Sequence, residues 1–75
     1  MKIYIINNMK VFAERLKMLR IDKGLSMQAL SRALKVSASS VFAWESGQSD
    51  IKGTQLILLA KFFEVTTDYL LGLEN

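Results

Sequence analysis

A chain of 75 residues with ten Lys/Arg, seven Asp/Glu and no cysteine, histidine or proline makes one small domain. Folding buries only about 60% of the unfolded surface of so short a chain, and its 51% hydrophobic content supplies a core without disulfide or metal staples. The missing thiols and imidazoles exclude disulfides, thiolate metal sites and the commonest general base, so neither an enzyme nor a bound cofactor is expected. The net charge of +3 is unevenly spread: residues 1–35 carry eight Lys/Arg against two Asp/Glu, and residues 36–75 carry two against five. Such polarity offers a basic face to phosphates, although a solvated surface of uneven charge has the same composition.

Met1–Asn8, MKIYIINN, is short, apolar and β-branched, but its apolar stretch, Ile3–Ile6, is far shorter than the ~7–15 apolar residues of a signal peptide or the ~20 of a membrane span. A cytoplasmic protein is therefore expected. Residues 1–8 read as a loosely ordered extension before a single domain, 9–75; a strand added to a partner is the competing reading. Asn8 is placed to cap a first helix over about Met9–Lys23, stopped by Gly24, with Phe12, Leu16 and Leu19 facing inward at i, i+4 and i+7. Arg20 lies beside Leu16 and Leu19, close to the buried side, and requires a partner.

Ser26 caps a second helix, Met27–Leu34, with Leu30, Ala33 and Leu34 on one face. Lys35 stands where a left-handed helix end is needed, at a cost of roughly 1 kcal/mol for a residue other than glycine. Ser37 then caps a third helix, Ala38–Ser46, with Val41 and Trp44 inward, Glu45 at the limit of that face, and Ala38, Ser39, Phe42 and Ala43 outward. Two short helices around so tight a corner form the arrangement that lays its second helix in the DNA major groove.

Gly47–Gly53 is a polar loop anchored by Ile51; its spacing is wrong for a phosphate loop, and no lysine follows Gly53. The fourth helix, Thr54–Phe63, buries Leu56, Leu59, Ala60 and Phe63. Thr66 caps a last helix, Thr67–Leu71, before Gly72. The remaining apolar residues Ile57, Leu58 and Phe62, with Tyr69 and Leu70, suggest a self-association surface, unless they only complete a small core.

The ordered set FxERLKxLR (Phe12–Arg20), KGLS (Lys23–Ser26), VS (Val36–Ser37), WESG (Trp44–Gly47), LLAKFFEV (Leu58–Val65) and TTDYLLG (Thr66–Gly72) resembles the Cro/repressor helix-turn-helix family. The resemblance covers about four fifths of the chain without an internal gap. It implies an all-α, compact, five-helix lambda-repressor-like domain that binds double-stranded operator DNA as a homodimer through its fourth and fifth helices. It also implies that Arg20 pairs with Glu45, tying the first helix to the third.

Helix N-termini offer directed amides to phosphate, here at Ser26, Met27 and Gln28 and at Ser37, Ala38 and Ser39, with Lys35 and Lys52 as cations. By the resemblance, Gln48 and Ser49 meet the DNA backbone, while Ala38, Ser39, Phe42 and Ala43, with Ser40 nearby, face the bases. Related proteins commonly carry Gln, Arg, Lys or Asn at those base-facing positions, a glutamine in place of Met27, and Lys and Arg in place of Gln48 and Ser49. Two functions are therefore expected in order: a DNA-binding regulator, most readily a phage-like repressor occupying an operator, and then a protein-interaction module, antitoxin- or antirepressor-like. In the second, Phe42 and Met27 form an apolar patch for a protein partner.

Overall fold

The computed structural model describes the backbone of residues 2–47 and 50–74 and the side chains of residues 9–47 and 50–74. These form five helices and no strand: α1 (Lys2–Asp22), α2 (Met27–Leu34), α3 (Ala38–Ser46), α4 (Gly53–Phe63) and α5 (Thr67–Leu70). The expected all-α, five-helix architecture is the one observed. The start of α1 differs, because the helix runs through Asn8 instead of being capped there. No proline or glycine interrupts Lys2–Asn8, and β-branched residues cost only tenths of a kcal/mol each in a helix. No helix among the described residues is long and apolar enough to cross a membrane.

Phe12 and Leu16 of α1, Leu30 of α2, Val41 of α3, Leu59 of α4 and Leu70 of α5 are all fully buried, so each helix contributes to one core. Trp44, Leu34, Ala60 and Phe63 complete it. Two sequence expectations need correction here. Ala33 is exposed, whereas Ser31 is buried and donates its hydroxyl to the Gln28 carbonyl at 2.7 Å. The buried stripe of α2 runs through Leu30, Leu34, Met27 and Ser31, and Ala33 falls about 100° or more from its centre at 3.6 residues per turn. Leu70 belongs to this core and is withdrawn from any self-association surface.

Three of the connections share one design. Gly24–Leu25–Ser26, Lys35–Val36–Ser37 and Glu64–Val65–Thr66 each run from a left-handed residue to a half-buried apolar residue and then to a helix cap. In each, two backbone amides return to the finished helix: Leu25, Val36 and Val65 to the carbonyls of Arg20, Ser31 and Ala60, and Gly24, Lys35 and Glu64 to those of Ile21, Arg32 and Lys61. This double bond pattern satisfies carbonyls that the helix end would leave open. The apolar residue enters the core, and the cap side chain accepts from an amide three residues on: Ala29 for Ser26, Ser40 for Ser37 and Tyr69 for Thr66.

The end of the described chain is gripped by α1. Arg15 donates to the carbonyls of Tyr69 and Glu74, and its guanidinium lies 4.3 Å from the centre of the Tyr69 ring. Gly72 approaches Val11 so closely that a Cβ there would sit 2.7 Å from a Val11 methyl.

Lys35 and Glu64 hold their left-handed conformations, φ 59° and 58°, without the relief that a missing Cβ would bring. Glu64→Gly is expected to stabilise the domain by about 1 kcal/mol, raising the melting temperature by roughly 4–8 °C in a thermal scan followed by circular dichroism.

Candidate nucleic-acid interface

The geometry of the interface begins at the corner between α2 and α3. Lys35 reverses the chain, Val36 pins the corner to the core, and Ser37 opens α3. The first turns of α2 and α3 contain no acidic residue, so the partial positive charge at each N-terminus is not neutralised from within the helix. Ser26, Gln28, Ser37, Ala38 and Ser39 stand exposed around those two termini, with Lys35 exposed between them.

α3 is turned about its axis by what it buries. Val41 and Trp44 enter the core, at 0% and 4% exposure. On the flank of that face, Glu45 receives both arms of the Arg20 guanidinium: Nε donates to Oε2 at 2.6 Å and Nη2 to Oε1 at 2.9 Å. The third donor, Nη1, reaches the Leu25 carbonyl at 2.8 Å, so one side chain ties α1, the α1–α2 connection and α3. The two side chains are 11% and 3% exposed, so the pair is largely closed to solvent, with Arg20 the more open partner. Its hydrogen bonds to Glu45 hold the Arg20 guanidinium above its already high usual pKa, outweighing the opposing effect of burial. A raised value of this kind means the contribution of Arg20 is fully present throughout the neutral range and is lost only at extreme alkaline pH.

The remaining side of α3 carries Ala38, Ser39, Phe42, Ala43 and Ser46. Ala38, Ser39, Phe42 and Ser46 are exposed, while Ala43 and the neighbouring Ser40 are half-buried. Phe42 is 60% exposed, as open as any large apolar side chain described. The hydroxyls are drawn together rather than presented singly: Ser37 Oγ lies 3.0 Å from Ser39 Oγ and 2.9 Å from Ser40 Oγ, and Ser46 donates to the Ala43 carbonyl at 2.8 Å.

Met27 is half-buried and packed against the core, which leaves only part of its side chain for any ligand. It shares a shallow cleft of about 210 Å³ with Phe42, Lys17, Glu45 and Ser46. Lys17 of α1, one of the eight cations before residue 36, joins this cleft without any local sequence signal that places it there. Lys52 is exposed at the start of α4, where its side chain makes no cap hydrogen bond. Gln48 and Ser49 lie outside the described residues.

A helix-turn-helix family profile matches residues 16–70, from one fully buried leucine to another. The chain belongs to this family. The resemblance to Cro/repressor-type helix-turn-helix proteins, with its lambda-repressor-like fold, therefore stands. Among curated relatives, the chain is 40% identical over 64 residues to the HTH-type transcriptional activator BcrR of Enterococcus faecalis, covering 85% of this chain and 31% of that protein. It is 30% identical over 65 residues to the uncharacterized HTH-type transcriptional regulator YobD of Bacillus subtilis (strain 168), covering 87% of this chain and 58% of that one. The helix-turn-helix chain thus spans less than two thirds of either relative. No solved structure gives a significant match.

Removing one partner from a buried, forked ion pair leaves the other charge without compensation. Glu45→Ala should therefore cost about 3 kcal/mol or more in urea unfolding, and Arg20→Lys should be destabilising as well, because an ammonium cannot fork onto a carboxylate.

Proposed function

We propose that this helix-turn-helix chain is a sequence-specific binder of double-stranded DNA that regulates transcription by occupying an operator. The observation that carries the reading is the pairing of two capped, acid-free helix N-termini across a corner held by Lys35, with the exposed side of α3 directed away from the core. In that arrangement the amides near Ser26 to Gln28 and Ser37 to Ser39 meet phosphates, Lys35 and Lys52 add charge, and α3 lies in the major groove. Both matched relatives are named as transcriptional regulators, one of them an activator. The same DNA contact serves either sign, since the position of the operator relative to the promoter decides between them. Repression by blocking polymerase is the form we propose for this chain.

A homodimer is part of the proposal, with a smaller apolar surface than the sequence suggested. Ile57 and Leu58 are 50% and 41% exposed on the outer side of α4. Phe62 and Tyr69 are half-buried and already partnered: Lys23 Nζ sits 5.5 Å from the Phe62 ring centre, Phe63 meets that ring edge-on, and Arg15 covers Tyr69. They form the margin of the surface. Twofold symmetry would place two copies of α3 about one DNA turn, ~34 Å, apart.

The protein-interaction reading is favoured by the openness of Phe42 alone. Selection from random duplexes, followed by titration of the best duplex against a scrambled one over a range of salt, separates the two. The DNA reading predicts a clear preference for the selected duplex and affinity that falls steeply with salt; a specificity ratio near one would sink it. Ala43→Glu places a carboxylate against the groove and should abolish binding to the selected duplex with little change in melting temperature. In sedimentation, Leu58→Glu should convert the dimer to monomer, whereas Met18→Glu, on the outer side of α1, should leave it intact.

A further inference from the structure

The exposed side of α3 is chemically unusual for a surface that distinguishes bases. Its side chains are Ala38, Ser39, Phe42, Ala43 and Ser46, and none is an amide, guanidinium, ammonium or carboxylate. Bidentate hydrogen bonding to a base edge, the strongest direct discrimination in the major groove, has no side chain there to perform it. The two hydroxyls that remain are already engaged, Ser39 with Ser37 and Ser46 with the Ala43 carbonyl. What the face does offer is apolar surface: one large ring, 60% exposed, with alanines before and after it.

The four base pairs show donors and acceptors along the major groove, but a single apolar group, the 5-methyl of thymine. Resting on the duplex-DNA reading above, we propose that α3 reads thymine methyls, with Phe42 as the principal specificity-determining residue and Ala38 and Ala43 as small contacts that let the helix approach closely. Met27 lines the same cleft as Phe42 and adds apolar surface beside the ring, while the cleft's Glu45 is held by Arg20 and its Ser46 by the Ala43 carbonyl. Lys17, on the same cleft, is a cation beside that apolar surface.

The test uses the full chain and the best duplex from the random selection, synthesised with thymine or with deoxyuridine at each position in turn. Uracil keeps every hydrogen-bonding group of thymine and lacks only the methyl. For the wild type, replacement at a contacted position should weaken binding about fourfold, the value of burying one methyl-sized group. In Phe42→Ala that difference should shrink towards onefold, at one thymine or more. Effects of the methyl on groove shape would persist in the variant, so the comparison isolates the ring. Phe42 is exposed, and an unchanged melting curve shows that the variant is folded.

Sequence-specific binding with equal affinity for the thymine and uracil duplexes would overturn the methyl reading while leaving the DNA-binding reading intact. Undiminished thymine preference in Phe42→Ala would overturn the role of Phe42. Unchanged DNA binding in that variant, together with a changed sedimentation coefficient, would assign the ring to a protein contact instead. If no duplex is preferred over a scrambled one, the DNA reading fails and this inference falls with it.

Discussion

A guanidinium that gives two hydrogen bonds to one carboxylate and a third to a carbonyl just beyond its own helix can do so in only one relative placement of the parts. Arg20 does this for α1, the Leu25 turn and α3. Val41 and Trp44 supply most of the favourable burial on α3, yet apolar contact is non-directional and tolerates rotation of a nine-residue helix. The fork onto Glu45 does not tolerate it. The side of α3 left facing water, with Phe42 on it, therefore follows from the burial of Val41 and Trp44 together with an ion pair on the flank of that buried face.

The same economy governs the connections. A chain of this size has few residues to spend on loops, and three of its four connections reduce to a left-handed residue, an apolar anchor and a cap. Hydrogen bonds close both helix ends within four or five residues, so each of these three breaks in the chain is also a point of attachment to the core. At Lys35 this arrangement carries a conformational cost and gains an exposed cation beside the N-terminus of α3. The corresponding position after α1 is Gly24, which has no such cost and no charge to offer.

Surface chemistry is divided between opposite requirements. Arg15 of α1 and Lys23 just beyond its end are placed over the Tyr69 and Phe62 rings, which lessens the apolar area shown to water near α4 and α5. Phe42, Ile57 and Leu58 receive no such cover. Open apolar side chains are ordinary on a surface, and Met18, Ile21 and Leu73 are exposed as well; Phe42, Ile57 and Leu58 are the ones for which a cover is proposed. For α3 the groove of DNA is the proposed cover, and for α4 a second copy of the chain.

Much of this was legible from the residues. Ser26, Ser37 and Thr66 cap because a hydroxyl before an apolar period satisfies an amide locally, and the spacing of Phe12, Leu16, Leu30, Leu34, Leu56, Leu59 and Phe63 defines helical faces whatever surrounds them. The Arg20–Glu45 pairing was available only through the family resemblance, because residues 25 positions apart share no local signal. Three matters were decided by the tertiary structure. Ser31 displaced Ala33 from the buried side of α2 because burial follows the direction of neighbouring helices, not hydrophobicity alone. Leu70 passed into the core while Ile57 and Leu58 stayed out, a division among similar side chains that composition cannot make. The hydroxyls of α3 turned to the capping Ser37 and to the helix backbone, leaving Phe42 as the most open large apolar side chain on that side. Local hydrogen bonding and periodicity are written along the chain; which face meets which is settled only when all the helices compete for one small interior.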